Sequence, residues 1–262
     1  MNKKILISII VFVIVITTLL VNSVLAAPCT RDNERFGIIV VLENSSARIQ
    51  NFDWAAAMIG LDMINTADLL LAYMDSNLGV TQEQLEAYLK QLIRTNAIRP
   101  AISNKSIVGT TSLPGSPDVM GPNTRAVFNS NPIWGVVALR EGHYAQTAAA
   151  RRWGATSLHN GNGDAFRHAA WNALMMLYIG SRSFVERFAT AWEDDGDLNG
   201  QPAIERQMDI INNRLGLNMG ANNPNAGPME LENMVKNAIT AGRGVRIVNG
   251  RIVVTNSAGS IW

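Results

Sequence analysis

From His159 to Met176 the sequence reads HNGNGDAFRHAAWNALMM, and this stretch holds the densest set of side chains that could do chemistry. The glycines and asparagines ahead of Asp164 predict a loop, and the remainder predicts a helix. At about 100° per residue, Asp164, His168 and Asn172 stack along one stripe, with Arg167 and Trp171 flanking it. Every other direction is Ala, Phe, Leu or Met. A helix apolar on nearly all sides is buried. Its polar stripe is then buried too, and each polar group there needs a partner or carries a desolvation cost of a few kcal/mol.

Two later segments offer partners. In Ser183–Asp194 (SFVERFATAWED), Glu186, Thr190 and Glu193 share one face, opposite Phe184, Val185, Phe188 and Trp192. In Ile204–Leu215 (IERQMDIINNRL), Glu205, Asp209 and Asn212 align, with Asn213 beside them. Three amphipathic helices could therefore turn their carboxylate and amide sides toward a common centre. The candidate catalytic set is His168, Asp164, Arg167, Glu193, Asp209, Asn172, Asn212 and Asn213.

The chemistry such a set could perform is activation of water. There is no Gly-x-Ser-x-Gly and no phosphate-binding Gly-x-x-x-x-Gly-Lys, and Cys29 lies far from the stripe. Asp164, Glu193 or Asp209 would serve as general base, with His168 as acid or ligand. His168 falls about one turn into its helix, where the positive end of the dipole disfavours imidazolium. A divalent metal is a second option, since His159, His168, Asp164, Glu193 and Asp209 are suitable ligand types, though no His-x-x-x-His spacing supports it. The third option is a metal-free structural network, with His168 bonded to a carboxylate and Arg167 paired with Glu193 or Asp209. Asp164 is equally well read as the N-cap after Gly163. Trp171 is expected in the core, and His143 on a surface or helix face. Glu193–Asp197 (EDDGD) lacks the closing Glu of a calcium loop and is expected to be a solvated loop.

These motifs carry a family resemblance. Gly163–Ala169 (GDAFRHA), Trp171–Ala173, Glu193, Met208-Asp209 and Asn212-Asn213 resemble an uncharacterised family of bacterial domains, often in secreted and toxin-like proteins, over about residues 133–255. The first motif is long and the later ones short. The family has no established activity, so the resemblance implies a domain and not a reaction. This chain departs from it twice: Trp192-Glu193 stands where members commonly have His-Glu, and Gly216 is followed by Leu217 where an Arg is common.

The surrounding elements must position the stripe. Residues 52–73 read as a helix on the spacing of Trp54, Met58, Leu61 and Asn65. Thr81 and Gln84 form a capping box for a second helix, the two making a hairpin within a 27–98 region. Residues 99–132 are dense in Pro and Gly and predict a linker. Residues 133–262 form the C-terminal domain, with a helix over Val136–Arg152. Its end, Val245–Thr255, is two β-rich runs joined by Asn249-Gly250, the strongest short hairpin signal. The fold class is therefore mainly α, a helical domain closed by a C-terminal β-hairpin.

At the other end, Lys3 and Lys4 precede the apolar run Ile5–Val21, and Asn22–Ala27 supplies small and polar residues. Residues 1–26 read as a signal peptide or an N-terminal membrane anchor, the apolar run being close to the roughly 20 residues that span a bilayer. Membrane contact would run only through residues 5–25, and the protein is expected outside the cytoplasm. The run 35–43 could be a strand, and Asn44 and Asn104 fit the glycosylation pattern. Cys29 is the only cysteine, so no intrachain disulfide can form, and Pro28 stands where a lipidation site needs a small residue. The chain holds 22 basic and 21 acidic residues, and loss of Lys3 and Lys4 leaves it near neutrality. That balance argues against a nucleic-acid surface. No partner is otherwise indicated. Cleavage is expected after Ala26, because cutting after Ala27 would leave Pro28 first. Mass spectrometry of the exported chain should find a mature form beginning at Ala27, and a full-length form kept in the membrane would mark an anchor instead.

Overall fold

A computed structural model describes residues 52–59, 61–95 and 120–261. The signal or anchor segment, Cys29, the run 35–43, Asn44, Asn104 and most of the proline-rich stretch lie outside the described residues. The described elements run α1 (Trp54–Ala57), α2 (Met63–Ser76), α3 (Gln82–Arg94), α4 (Pro122–Ser130), α5 (Pro132–Arg152), α6 (Asn162–Ile179), α7 (Arg182–Leu198), α8 (Ala203–Asn222), α9 (Pro228–Thr240), β1 (Val245–Val248) and β2 (Arg251–Val254). The chain is mainly α with a C-terminal antiparallel hairpin, as its periodicities predict.

Local chemistry explains the boundaries. Thr81 and Gln84 form the expected capping box at α3. The expected single helix over 52–73 is divided instead. Asp62 accepts from the Asn65 backbone N–H at 3.0 Å and starts α2 as a separate helix from α1. In the hairpin, Asn249 and Gly250 hold φ of 51° and 70°, the left-handed pair that a type I′ turn requires. Val245 then stands opposite Val254, and Val248 opposite Arg251.

The largest correction concerns residues 120–132, the described part of the stretch read as linker. Pro122 and Pro132 begin α4 and α5, and Asn131 caps α5 by accepting from the Trp134 N–H at 3.1 Å. Proline at a first helical position lacks an N–H that would be unpaired anyway. Counting prolines as breakers therefore misread two helix starts as linker, and α5 begins before Val136. Nor does the stretch mark off two cores. Helix α2 packs on α5, and Leu70, Leu85 and Leu89 join one apolar cluster with Val136, Phe166 and Trp171. The acidic run 193–197 is likewise no solvated loop. It forms the last turns of α7, where Asp195 is buried and accepts from the backbone N–H of Asn123 and Thr124 at 3.0 and 2.8 Å. One helix end thus caps another from a distance.

Helix α6 is the axis of the packing, buried along nearly its whole length as expected. It touches α5, α8 and α9. The α8 contact is very close. A Cβ at Gly216 would stand 1.8 Å from the Ala169 carbonyl oxygen, and one at Gly220 would stand 2.6 Å from that of Ala173. Small residues on both helices let the backbones meet, and side chains on either side of the seam are pressed together as a result. Gly216→Ala should therefore lower stability by at least about 2 kcal/mol through overpacking against backbone. Chemical denaturation measures this, and an unchanged midpoint would show that the helices do not approach so closely.

Candidate functional site

The α6–α8 seam brings His168 and Asp209 into contact. His168 Nε2 lies 3.1 Å from Asp209 Oδ1, and both side chains are buried. Helix α7 completes the cluster from a third side, with Glu193 Oε1 3.5 Å from His168 Nδ1. Asn213, one turn beyond Asp209, joins all three helices. Its Oδ1 faces His168 Nδ1 at 3.2 Å and accepts from Asn172 Nδ2 at 2.8 Å, while its Nδ2 donates to Glu193 Oε1 at 3.1 Å.

Arg167 and Asp164 form the charged half. Arg167 Nη2 donates to Asp164 Oδ1 at 2.6 Å and lies 2.6 Å from His168 Nε2. Its partner is thus Asp164, not Glu193 or Asp209. Asp164 is not the N-cap either. Gly161 is the cap, Asn162 and Gly163 already belong to the helix, and Asp164 reaches back to accept from the Asn160 backbone N–H at 2.7 Å.

These contacts set the protons. An Arg N–H can only donate, so His168 Nε2 accepts and Nδ1 carries the ring hydrogen toward Asn213. Burial, reinforced by the Arg167 cation, drives the His168 pKa down to about 3, so the ring is neutral. Asp209 Oδ1 stands beside His168 Nε2, whose single lone pair already accepts from Arg167, so the ring offers it no hydrogen bond. Its close partner is the Glu193 carboxyl, and two buried carboxyls in hydrogen-bond contact cannot both be ionised, so one of them keeps a proton. Burial first, then the charges of Glu193 and Asp164, raise the Asp209 pKa to about 9. Burial raises Glu193 to about 7, against the bond from Asn213 and the field of Arg167. Burial also opposes ionisation of Asp164, but Arg167 and the Asn160 amide outweigh it and hold that carboxyl below its ordinary range.

Not every expected residue arrives. Asn212 turns away and clamps the hairpin, accepting from the Val245 N–H at 3.0 Å and donating to its carbonyl at 2.9 Å. Adjacent helical positions point about 100° apart, so only one of the Asn pair can face His168. His159 is 59% exposed, 3.6 Å from Glu205, and takes no part in the cluster. Glu186 pairs with Arg182 on the surface. Trp171 is core, its indole N–H donating to the Ala138 carbonyl at 2.8 Å, and His143 is half-buried on α5. Among the expected metal ligands, donor atoms of Asp164, His168 and Asp209 lie within 4.8 Å of one another. Arg167 already places its guanidinium between the first two, so a side-chain cation stands where an ion would have to enter.

Two contributors had no sequence signal. Gln201, in the turn after α7, donates to Asp209 Oδ2 at 2.7 Å. Thr124, near the start of α4, lines the same cleft from the stretch read as linker. That cleft, of about 270 Å³, opens onto Arg167, His168, Trp192, Glu193, Gln201 and Asp209.

Residues 125–243 match the model of a family described as a domain of unknown function, DUF6973. The match begins within α4, earlier than residue 133, and ends just before the hairpin. No curated protein and no solved structure matches the chain.

The proton placements dictate a pH dependence. Glu193 and Asp209 bind protons more tightly folded than unfolded, so their stabilising share is complete below about pH 4. It is lost as pH rises through about 7 and about 9. His168 acts oppositely, and its share is lost as pH falls from 6.5 toward about 3. Tm should fall by at least about 3 °C between about pH 6 and pH 9. Asp209→Asn, an isostere of the protonated acid, should remove most of that fall. An unaltered slope in differential scanning fluorimetry would refute a protonated Asp209.

Proposed function

We propose that this is an exported, hydrolase-like effector domain that activates water at the floor of the cleft. Glu193 takes a proton from water, and Asp209 gives one to the leaving group. The bond from Asn213 favours the ionised form of Glu193, while the charges of Glu193 and Asp164 favour the protonated form of Asp209, which sets the two carboxyls apart in protonation state. The observation that carries this reading is the pair of buried carboxyls from different helices meeting at His168 beneath an open cleft. A purely structural acid pair has no need of solvent access. Export rests on the charged and apolar pattern of residues 1–26.

A second reading, a non-catalytic module, is favoured by one observation. Asn213 bonds to His168, Asn172 and Glu193 at once, and so ties α6, α7 and α8 together. The two readings separate in mutants. For a catalytic centre, Glu193→Gln and Asp209→Asn should each lower activity by about 10²–10⁴-fold, scored as toxicity on expression directed to the periplasm, while Tm near pH 6 stays within a few degrees. For a packing device, removing a partner should unfold the domain, at about 3–5 kcal/mol for a broken buried pair, with no separable activity to lose.

A further inference from the structure

We propose that the cleft takes a sugar ring without negative charge, an inference resting on the hydrolytic reading and naming its substrate class. Its lining is unsuited to the other ligands that a water-activating site could serve. Its basic side chains are already engaged: Arg167 is paired with Asp164, and His159 lies 3.6 Å from Glu205. A phosphodiester would find no unpaired cation among the described lining residues. An acyl chain fares no better, because Trp192 supplies the one large apolar side chain of the lining.

What remains suits a polyhydroxylated ring. Trp192 is half-buried, held edge-on against Trp171 with ring centroids 5.7 Å apart, and so is fixed as a rigid wall. The negative face of an indole attracts the polarised C–H groups of a pyranose, and more strongly an ammonium on an amino sugar. Thr124, fully buried in the wall of the cleft, has a hydroxyl with no hydrogen-bond partner among the described residues. That group can donate to or accept from a sugar hydroxyl. Asn199 and Gln201 add amides, which bind hydroxyls without demanding charge. The volume of about 270 Å³ falls just below the ~300–1,000 Å³ of ligand pockets, which fits a single ring of a longer polymer and not a folded macromolecule.

Isothermal titration of the full-length protein with N-acetylglucosamine tetramer, glucosamine tetramer, cellotetraose and bis(p-nitrophenyl) phosphate tests this. At least one saccharide should bind, and the phosphodiester should not. Trp192→Ala should weaken saccharide binding about tenfold, the loss of one aromatic wall, and Trp192→Phe should restore most of it. A thermal melt of each variant separates lost binding from lost fold. If Trp192→Ala does not fold, Thr124→Val is read in its place and should weaken binding severalfold. No saccharide binding, or binding of the phosphodiester alone, would overturn the proposal. Saccharide binding without turnover would retain the ligand class and remove the hydrolytic reading.

Discussion

A buried cation organises this domain. Arg167 sits on a helix whose other faces are apolar, so its guanidinium is largely withdrawn from water and must be neutralised within the fold. Asp164, one turn earlier on the same helix, supplies the countercharge, and His168 accepts from the same guanidinium. Desolvating an ion costs several kcal/mol even after relaxation, so these bonds must form together or not at all. Once Asp164 and Arg167 compensate each other, little positive charge is left for the carboxyls arriving from α7 and α8. Glu193 and Asp209 therefore hold their protons to unusually high pH, and the polar centre becomes a proton store.

The α6–α8 seam makes that store compact. Gly216 and Gly220 allow the helices to meet near Ala169 and Ala173, which draws Asp209 and Asn213 within bonding distance of His168. The same closeness sets Asp209 against Glu193 with no donor from the ring, a repulsion that a proton relieves. Groups of this kind are retained at functional sites more often than in inert cores, and they give a core a reactive edge where it meets solvent. The elements around the seam serve to hold its mouth open. Asp195 anchors α4 beside the cleft, and Gln201 orients Asp209 from the turn after α7.

Much of this was legible from residue order alone. The 3.6-residue spacing of α6 placed Asp164, His168 and Asn172 on one stripe, and the same periodicity identified α3, α7 and α8. The Asn-Gly pair specified the hairpin, because few residues tolerate positive φ at two successive positions. The misreadings share one cause. Proline density predicts a break where Pro122 and Pro132 start helices, and charge density predicts solvation where the run 193–197 closes α7. In each case composition was weighed without the partner that compensates it. For the acidic run that partner is the N-terminus of α4, some seventy residues away in sequence.

Sequence by itself determined that the fold is helical with a closing hairpin, which faces of α6, α7 and α8 are polar, and that a His, an Arg and several carboxyls must be buried together. These are local matters, governed by side-chain volume, hydrogen-bonding capacity and the geometry of a single helix. Only the tertiary structure decided that Arg167 pairs with Asp164, that Asn213 and not Asn212 faces the histidine, and that His159 stands outside the cluster. It also decided which carboxyl keeps its proton. Such choices depend on the rotation of one helix about its axis relative to another, and that rotation is set by the backbone approach of Gly216 to Ala169, a contact between helices far apart in sequence.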